Sequence, residues 1–417
     1  MKVLILAHKP PPFHGQSLMV QRAVEVLGGD RRGRRGRSVQ PEPDALAEEP
    51  RIECYHVDAR LSDDLQQVGV PSVKKLFRLL GYCLQAIWCR FRYGVRILYF
   101  VPAHAARPSI ARDWMALAIC RPFFKTLIFH WHTAGLGEWL RTTARPWERW
   151  LTLVIMGRPD LSLVLRHYCR RDAEAFESKH IEIIPNGIPD PCRQFDLEIG
   201  PRRHLRAAVR KDLLAGRTPG EDARARAGGD PEVFRVLFLS LCCREKGLFD
   251  VLEAVAEAGR QLDGAAVRIE LVVAGEFSRE HEKAEFEARL RQPDLSRSGP
   301  AVRWLGFVSG EEKARLFSTS DCLCFPTYYQ AENCPLVLIE AMAFGLPVIT
   351  TRWRGLDEML PPGFAGLVDL RSPGQIAAKL LRVIREDYND SLRRSFEAGY
   401  TNDVFARNLN VALLRLA

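Results

Sequence analysis

This sequence predicts two α/β lobes, each a doubly wound parallel sheet with helices on both faces. Three observations predict them. Short apolar, β-branched runs alternate with helical stretches along both halves, which is the pattern of βαβ units. A chain of 417 residues suits two lobes of about 200 residues each. Near the end, an apolar helix with Pro335 at its start and Gly345 at its end runs straight into the β-branched strand Val348-Ile349-Thr350-Thr351.

The elements follow in order. Residues 3–7 are too short an apolar core for a signal peptide and read as a buried parallel strand. The Pro/Gly loop of Pro10 to Ser17 leads into a helix over 18–27. Residues 28–50 set Arg31, Arg32, Arg34, Arg35 and Arg37 among glycines and precede Pro41 and Pro43. Such a stretch cannot bury a core and is expected to be a mobile loop, either a tolerated insertion or a contact for anionic lipid. Residues 73–93 form a helix with Leu76, Phe77, Trp88 and Phe91 among its apolar groups and Lys74, Lys75, Arg78, Arg90 and Arg92 towards its ends. It reads as a core helix with solvated ends or as a peripheral helix at a lipid headgroup layer. Strands at 96–101, 126–132 and 161–165, with a helix over 112–124, complete a first domain of 1–195.

Residues 196–232, rich in Arg, Ala and Gly, read as a linker with frayed helix. A second domain, 233–400, repeats the alternation with strands at 235–240, 267–274, 302–305, 321–325 and 347–351. Helices over 376–385 and 390–398 follow, and 401–417 is a tail helix.

Bulk properties narrow the function. No segment has the roughly 18–20 uninterrupted apolar residues of a spanning helix. Eleven cysteines without regular spacing predict reduced thiols in the cytosol and no zinc site. A net charge of +9 suits nucleic acid, an anionic membrane surface or phosphorylated substrates. No nucleic-acid-binding motif is present and aromatics are not interleaved with the basic runs, so a membrane surface plus a phosphorylated ligand explains it better.

The chemistry converges on one segment. Glu332 lies just before the apolar helix and Glu340 lies within it. Unpaired N–H groups at a helix start attract an anion such as phosphate. Two carboxylates beside a phosphate grip hydroxyl groups, so a sugar joined to a diphosphate is the natural ligand.

This segment resembles the Glu-x7-Glu motif of the retaining glycosyltransferases of family GT4, which have the two-domain GT-B fold. Further stretches are similar in family order: Val302-Arg303-Trp304-Leu305-Gly306, Ser320-Asp321-Cys322-Leu323-Cys324-Phe325-Pro326-Thr327, Ile183-Ile184-Pro185-Asn186-Gly187, Val236 to Ser240 with Glu245-Lys246-Gly247, and the loop after the first strand. The resemblance implies transfer of a sugar from a nucleotide-sugar donor to an acceptor hydroxyl with retention, in polysaccharide or lipid-linked glycan biosynthesis. It implies Glu340 on the ribose hydroxyls, Glu332 on the transferred sugar and Lys246 on the diphosphate. His132, at the end of a strand, stands where the family touches the sugar near the reacting carbon.

Donor amides fall to Cys334, Leu336 and Val337, because Pro335 has no N–H. Gly15 permits close approach of the first-lobe loop to the phosphates. The resemblance also implies a tail helix that crosses back to the first domain. Leu241 stands where many relatives carry an Arg, and Arg244 is the candidate to take over its role. His130 and Asp113 are weaker acceptor-side candidates; Asp113 also reads as a helix-start carboxylate. No Asp-x-Asp motif occurs, so neither metal nor cofactor is expected. Partners are then the donor, a glycan or lipid-linked acceptor and an anionic membrane, with the protein cytoplasmic or peripheral to the inner membrane face. The rival reading is a non-catalytic relative that binds a nucleotide sugar or serves as an assembly partner.

Overall fold

The computed structural model describes residues 1–11, 15–33, 52–61, 73–296 and 301–416. It divides into two compact units, Met1–Gly187 with Asn402–Ala417 and Ile188–Thr401. In the first unit β1 (Lys2–Ala7), α1 (Gly15–Val26), β2 (Glu53–Asp58), α2 (Val73–Tyr93), β3 (Ile97–Phe100), α3 (Arg107–Cys120) and β4 (Thr126–Trp131) come first. They are followed by α4 (Leu136–Thr142), α5 (Pro146–Met156), β5 (Leu161–Val164), α6 (Arg170–Ala175) and β6 (Ile181–Ile183). The sheet order is β2-β1-β3-β4-β5-β6, and every neighbouring pair is parallel. The order reverses between β1 and β3, the position where open α/β sheets bind ligands.

The second unit begins with α7 (Gly200–Leu214), α8 (Glu221–Ala227), β7 (Val233–Leu239), α9 (Leu248–Gln261), β8 (Arg268–Ala274), α10 (Glu280–Leu290), α11 (Pro293–Ser296) and β9 (Ala301–Trp304). It continues with α12 (Gly310–Thr319), β10 (Cys322–Phe325), α13 (Leu336–Ala343), β11 (Val348–Thr351), β12 (Leu367–Val368), α14 (Pro373–Arg385) and α15 (Ser391–Gly399). The closing helix, α16 (Asn402–Leu414), groups with the first unit and packs against α1. The second sheet runs β12-β11-β10-β7-β8-β9, all parallel. Its reversal lies between β7 and β10.

Each sheet is buried on both faces, which is why its strands read as continuous apolar runs. Leu4, Leu98, Phe129 and Trp131 fill the first core; Val236, Phe238, Leu271, Cys324 and Ile349 fill the second. Each such side chain contributes roughly 1.5–3 kcal/mol on burial. All eleven cysteines are buried and unbridged.

Several expectations need correction. Residues 196–232 are not a linker: they belong to the second unit, whose boundary falls at Gly187 rather than at 195. Their arginines are structural. Arg203 donates to the carbonyls of Phe317, Ser320 and Phe344 at 2.8, 2.8 and 3.0 Å, closing the C-terminal ends of α12 and α13. Arg206 Nε and Arg210 Nη2 each lie 2.7 Å from Asp321 Oδ1. Burial alone would raise the Asp321 carboxyl, but the Arg210 and Arg206 guanidiniums hold it at about 2.

The helix expected over 112–124 starts earlier, at Arg107, because Pro108 supplies its first turn. The first residues of the stretch read as mobile are fixed, since Asp30 Oδ1 accepts the His56 N–H at 3.1 Å; residues 34–50 lie outside the described residues. Strands β2, β6 and β12 add to those read from sequence. Among the described residues, no helix is long and apolar enough to cross a membrane.

Candidate functional site

The second unit gathers its chemistry at the carboxyl ends of β7 and β10, where the strand order reverses. After β7 the chain makes one tight turn over Arg244–Lys246 and passes through Gly247, at φ 85°, into α9. A Cβ at Gly247 would stand 2.5 Å from the Pro326 carbonyl oxygen, so only glycine lets this turn seat against the end of β10. The loop after β10 is tied to the same turn, with the Tyr328 N–H donating to the Glu245 carbonyl at 2.8 Å.

This docking brings Lys246 Nζ to 2.6 Å from Glu332 Oε2, and both side chains are largely shielded from water. The Thr327 hydroxyl donates to the same carboxylate oxygen at 3.2 Å. The Lys246 ammonium also sits 4.6 Å from the centre of the Tyr329 ring, a cation–π contact. Four residues after Glu332 the chain enters α13, with Pro335 as its N-cap rather than its first helical residue. Leu336 and Val337 therefore supply first-turn N–H groups, which have no intrahelical acceptor; Cys334 lies buried just before them.

Glu340 projects from the second turn of α13. Lys313 Nζ, on α12, lies 2.6 Å from its Oε1, while Oε2 is buried without a hydrogen-bond partner among the described residues. Loss of water raises the Glu340 carboxyl, and the Lys313 charge opposes the rise. A sealed, unsatisfied carboxylate oxygen is costly unless a donor group reaches it.

Arg244 goes elsewhere. Its guanidinium pairs with Glu285 and stacks 4.4 Å over the Phe249 ring, facing a groove between α9 and α10. It does not join Lys246 and Glu332, and Leu241 stays partly exposed.

In the first unit, His130 and His132 share a face of β4, their ring centres 4.0 Å apart. His130 is fully buried and shares a short hydrogen bond through Nδ1 with the Tyr99 hydroxyl. Burial, then the neighbouring His132, holds His130 well below the ordinary histidine value, so it stays neutral. His132 lies at the strand's carboxyl end, nearly buried. Beyond it Gly135, at φ 100°, caps α4. The amides there are already occupied: Asp172 accepts the Gly135 and Gly137 N–H groups at 3.0 and 2.6 Å.

Asp113 corrects the sequence reading. It lies in the second turn of α3, completely buried, accepting the Ala103 N–H at 2.7 Å and pairing with Arg112 at 2.6 Å. It anchors the loop after β3 instead of offering a free carboxylate. Gly15 opens α1 and is exposed; residues 12–14 of its loop lie outside the described residues. At the β1/β3 reversal a narrow cavity of about 30 Å³ is lined by Ala7, His8, Gln16, Val101 and Arg112, among others. Lys313 and Asp172 were absent from the sequence reading, since no motif spacing marks them, and Thr327 entered it within a family-like stretch without a role. Among the described residues, no cluster of His, Cys, Asp or Glu is placed to hold a metal ion.

Comparison with known proteins bears on this geometry. Residues 221–401 match the family model described as glycosyl transferases group 1. The chain is 32% identical over 183 residues to a D-inositol 3-phosphate glycosyltransferase of Nocardioides sp., covering 42% of this chain and 39% of the relative. It is 25% identical over 228 residues to the amylovoran biosynthesis glycosyltransferase AmsK of Erwinia amylovora, covering 49% and 54%. The matches thus span about half or less of these curated relatives. Among solved structures, Anabaena Alr3699/HepE in complex with UDP superposes with TM-score 0.62 at 15% identity, covering 100% of both chains. The OtsA apo structure gives 0.59 at 14%, covering 100% of this chain and 98% of that one. At these identities the likeness concerns the fold, which is the two-domain α/β GT-B fold.

Proposed function

We propose that this chain, whose residues 221–401 match the family model of the glycosyl transferases group 1, moves a sugar from a nucleotide-sugar donor to an acceptor hydroxyl with retention of configuration. The observation that carries the reading is the cluster at the end of β7 and β10. A shielded ammonium and carboxylate, Lys246 and Glu332, stand 2.6 Å apart. Glu340 on α13 keeps a buried oxygen unsatisfied among the described residues. A donor supplies what each lacks: diphosphate oxygens for Lys246, sugar hydroxyls for Glu332 and Leu336/Val337 amides, ribose hydroxyls for Glu340 Oε2. The names of the relatives, glycosyltransferases of an inositol phosphate and of amylovoran biosynthesis, support a role in glycan or polysaccharide assembly, on a free or lipid-linked acceptor.

In the proposed reaction the acceptor oxygen attacks the anomeric carbon, the bond from that carbon to the phosphate oxygen breaks, and a nucleoside diphosphate departs. The acceptor proton passes to a leaving phosphate oxygen on the same face. Lys246 exchanges its Glu332 partner for the diphosphate and offsets the charge growing there. His132 is assigned to the sugar near the reacting carbon. The acceptor reading for the first unit draws on the cavity beside His8, Gln16 and Arg112.

The test is incubation with a panel of nucleotide sugars, with and without glycan and lipid-linked acceptors, scoring nucleotide release and the anomeric configuration of the product. An inverted product removes retention from the proposal. One observation favours a second reading: Arg244 is engaged by Glu285 and Leu241 carries no charge, which weakens the phosphate grip expected of a turnover enzyme. Tight nucleotide-sugar binding with no release in any combination favours that non-catalytic binder.

A further inference from the structure

We propose that the outward faces of α2, α3 and α5 form one docking surface for an anionic lipid bilayer. The helix α2 is amphipathic in an unusual sense, because its buried side is made of small and sulfur-bearing groups, Cys83, Ala86 and Cys89 with Leu79. Its larger apolar groups point outward. Phe77, Leu84, Trp88 and Phe91 recur at helical spacing along one stripe, Phe77 at 69% and Trp88 at 53% exposure. The helix α3 packs against both α2 and α5, so the stripe has a neighbour. On α5, Trp147 and Trp150 are exposed, Trp150 at 65%. Ring contacts link the helices, Phe91 with Phe123 at 6.1 Å and Trp114 with Trp147 at 6.0 Å, and exposed apolar surface of this kind marks an interaction site.

Charge selects the occupant. Across these helices the exposed Lys74, Arg92 and Arg149 accompany the aromatics, with Lys75, Arg78 and Arg90 half-buried beside them, while α2 carries no acidic residue at all. The acids that α3 and α5 do carry, Asp113 and Glu148, are buried and paired with Arg112 and Arg107. No acidic side chain therefore reaches solvent from any of these helices. Tryptophan with Lys and Arg is the composition that seats at a headgroup layer, and anionic lipid answers the uniform positive charge. A second copy of the chain fits poorly, because a two-fold contact would set this surface against itself and oppose like charges. The inference uses nothing from the donor cluster, so it and the proposed transfer fail separately.

The experiment is flotation of the full chain with vesicles of phosphatidylcholine alone or mixed with phosphatidylglycerol, without any sugar nucleotide. Binding is expected to be at least about tenfold stronger to the mixed vesicles and to weaken with salt. The triple variant Lys74→Glu/Arg92→Glu/Arg149→Glu should lose about a hundredfold in affinity. Trp88→Ser/Trp150→Ser should lose binding while keeping the wild-type melting profile. Absence of flotation, equal flotation on both vesicle types, or undiminished binding by the triple variant overturns the proposal. So does light scattering that shows a dimer dissociated by the tryptophan substitutions. The wild-type comparison stands even where a variant misfolds.

Discussion

Lys246 and Glu332 are joined across 86 residues of sequence by a 2.6 Å contact between Nζ and Oε2. The contact depends on Gly247 fitting under Pro326 and on the Tyr328 amide binding the Glu245 carbonyl. The ion pair is thus built by backbone geometry, with the side chains carried to it.

Removing either partner should separate chemistry from folding. Glu332→Ala and Lys246→Ala are expected to lower kcat/KM by about a hundredfold or more. Far-ultraviolet spectra should stay close to wild type, while melting falls modestly because the remaining partner is left shielded and unpaired. Wild-type nucleotide release from Glu332→Ala would take that residue out of the reaction.

Glu340→Ala should raise the donor KM by roughly tenfold with little change in kcat, the loss of one hydrogen bond to a charged group. A donor lacking the ribose 2′-hydroxyl tests the assignment further. It should be penalised by the wild-type protein and much less by the variant, and equal penalties would break the link.

Gly247→Ala is expected to impair donor turnover more than Gly264→Ala, a glycine with open space around its missing Cβ. Both adopt positive φ and so share the backbone penalty. Their difference in steady-state kinetics therefore reports the Pro326 contact.

Asp321→Asn should destabilise the second unit by about 3–5 kcal/mol, because Arg206 and Arg210 would remain buried beside a neutral amide. Urea denaturation followed by intrinsic fluorescence measures it. A change under about 1 kcal/mol would mean the pair behaves like a surface bridge.

Acid should weaken the first unit before the second. His56 is buried with its ring Nε2 proton donated to the Ala7 carbonyl at 2.8 Å, and burial lowers its pKa to about 4. The unfolded chain takes up that proton near pH 6.5, so the native state loses stability as pH falls from about 6.5 towards 4 and is unaffected above. The neutral, buried His130 adds in the same direction. Melting temperature followed across this range should slope downward on acidification, and His56→Gln should flatten the slope.

How much of this was legible follows from the physics of each segment. The helix Val73–Tyr93 was read with its observed bounds, although which side is buried was not legible, because its largest apolar groups are the outward ones. Strands such as Ile97–Phe100 and Cys322–Phe325 are uninterrupted apolar runs and were found within a residue or two. Strand Glu53–Asp58 was missed because His56 and Glu53 break its hydrophobic pattern, and one of them is buried for a hydrogen bond. Strand Ile181–Ile183 is too short for a pattern. Arg203, Arg206 and Arg210 looked like solvated charge, since composition does not reveal that carbonyl ends of distant helices await them. In the second unit Lys246 and Glu332, both named from sequence, lie in contact, whereas Glu340 pairs with Lys313 on α12. Arg244 does not join them, since its partner Glu285 lies on a helix whose approach no local sequence encodes.

The arginine row of α7 has a consequence for anyone recombining these proteins. A hybrid cut at residue 232, where composition suggests a seam, would leave Arg203, Arg206 and Arg210 with the wrong parent and strip α12, α13 and Asp321 of their ties. The interchangeable cassette runs instead from Ile188 to Thr401, and the closing helix must stay with the recipient.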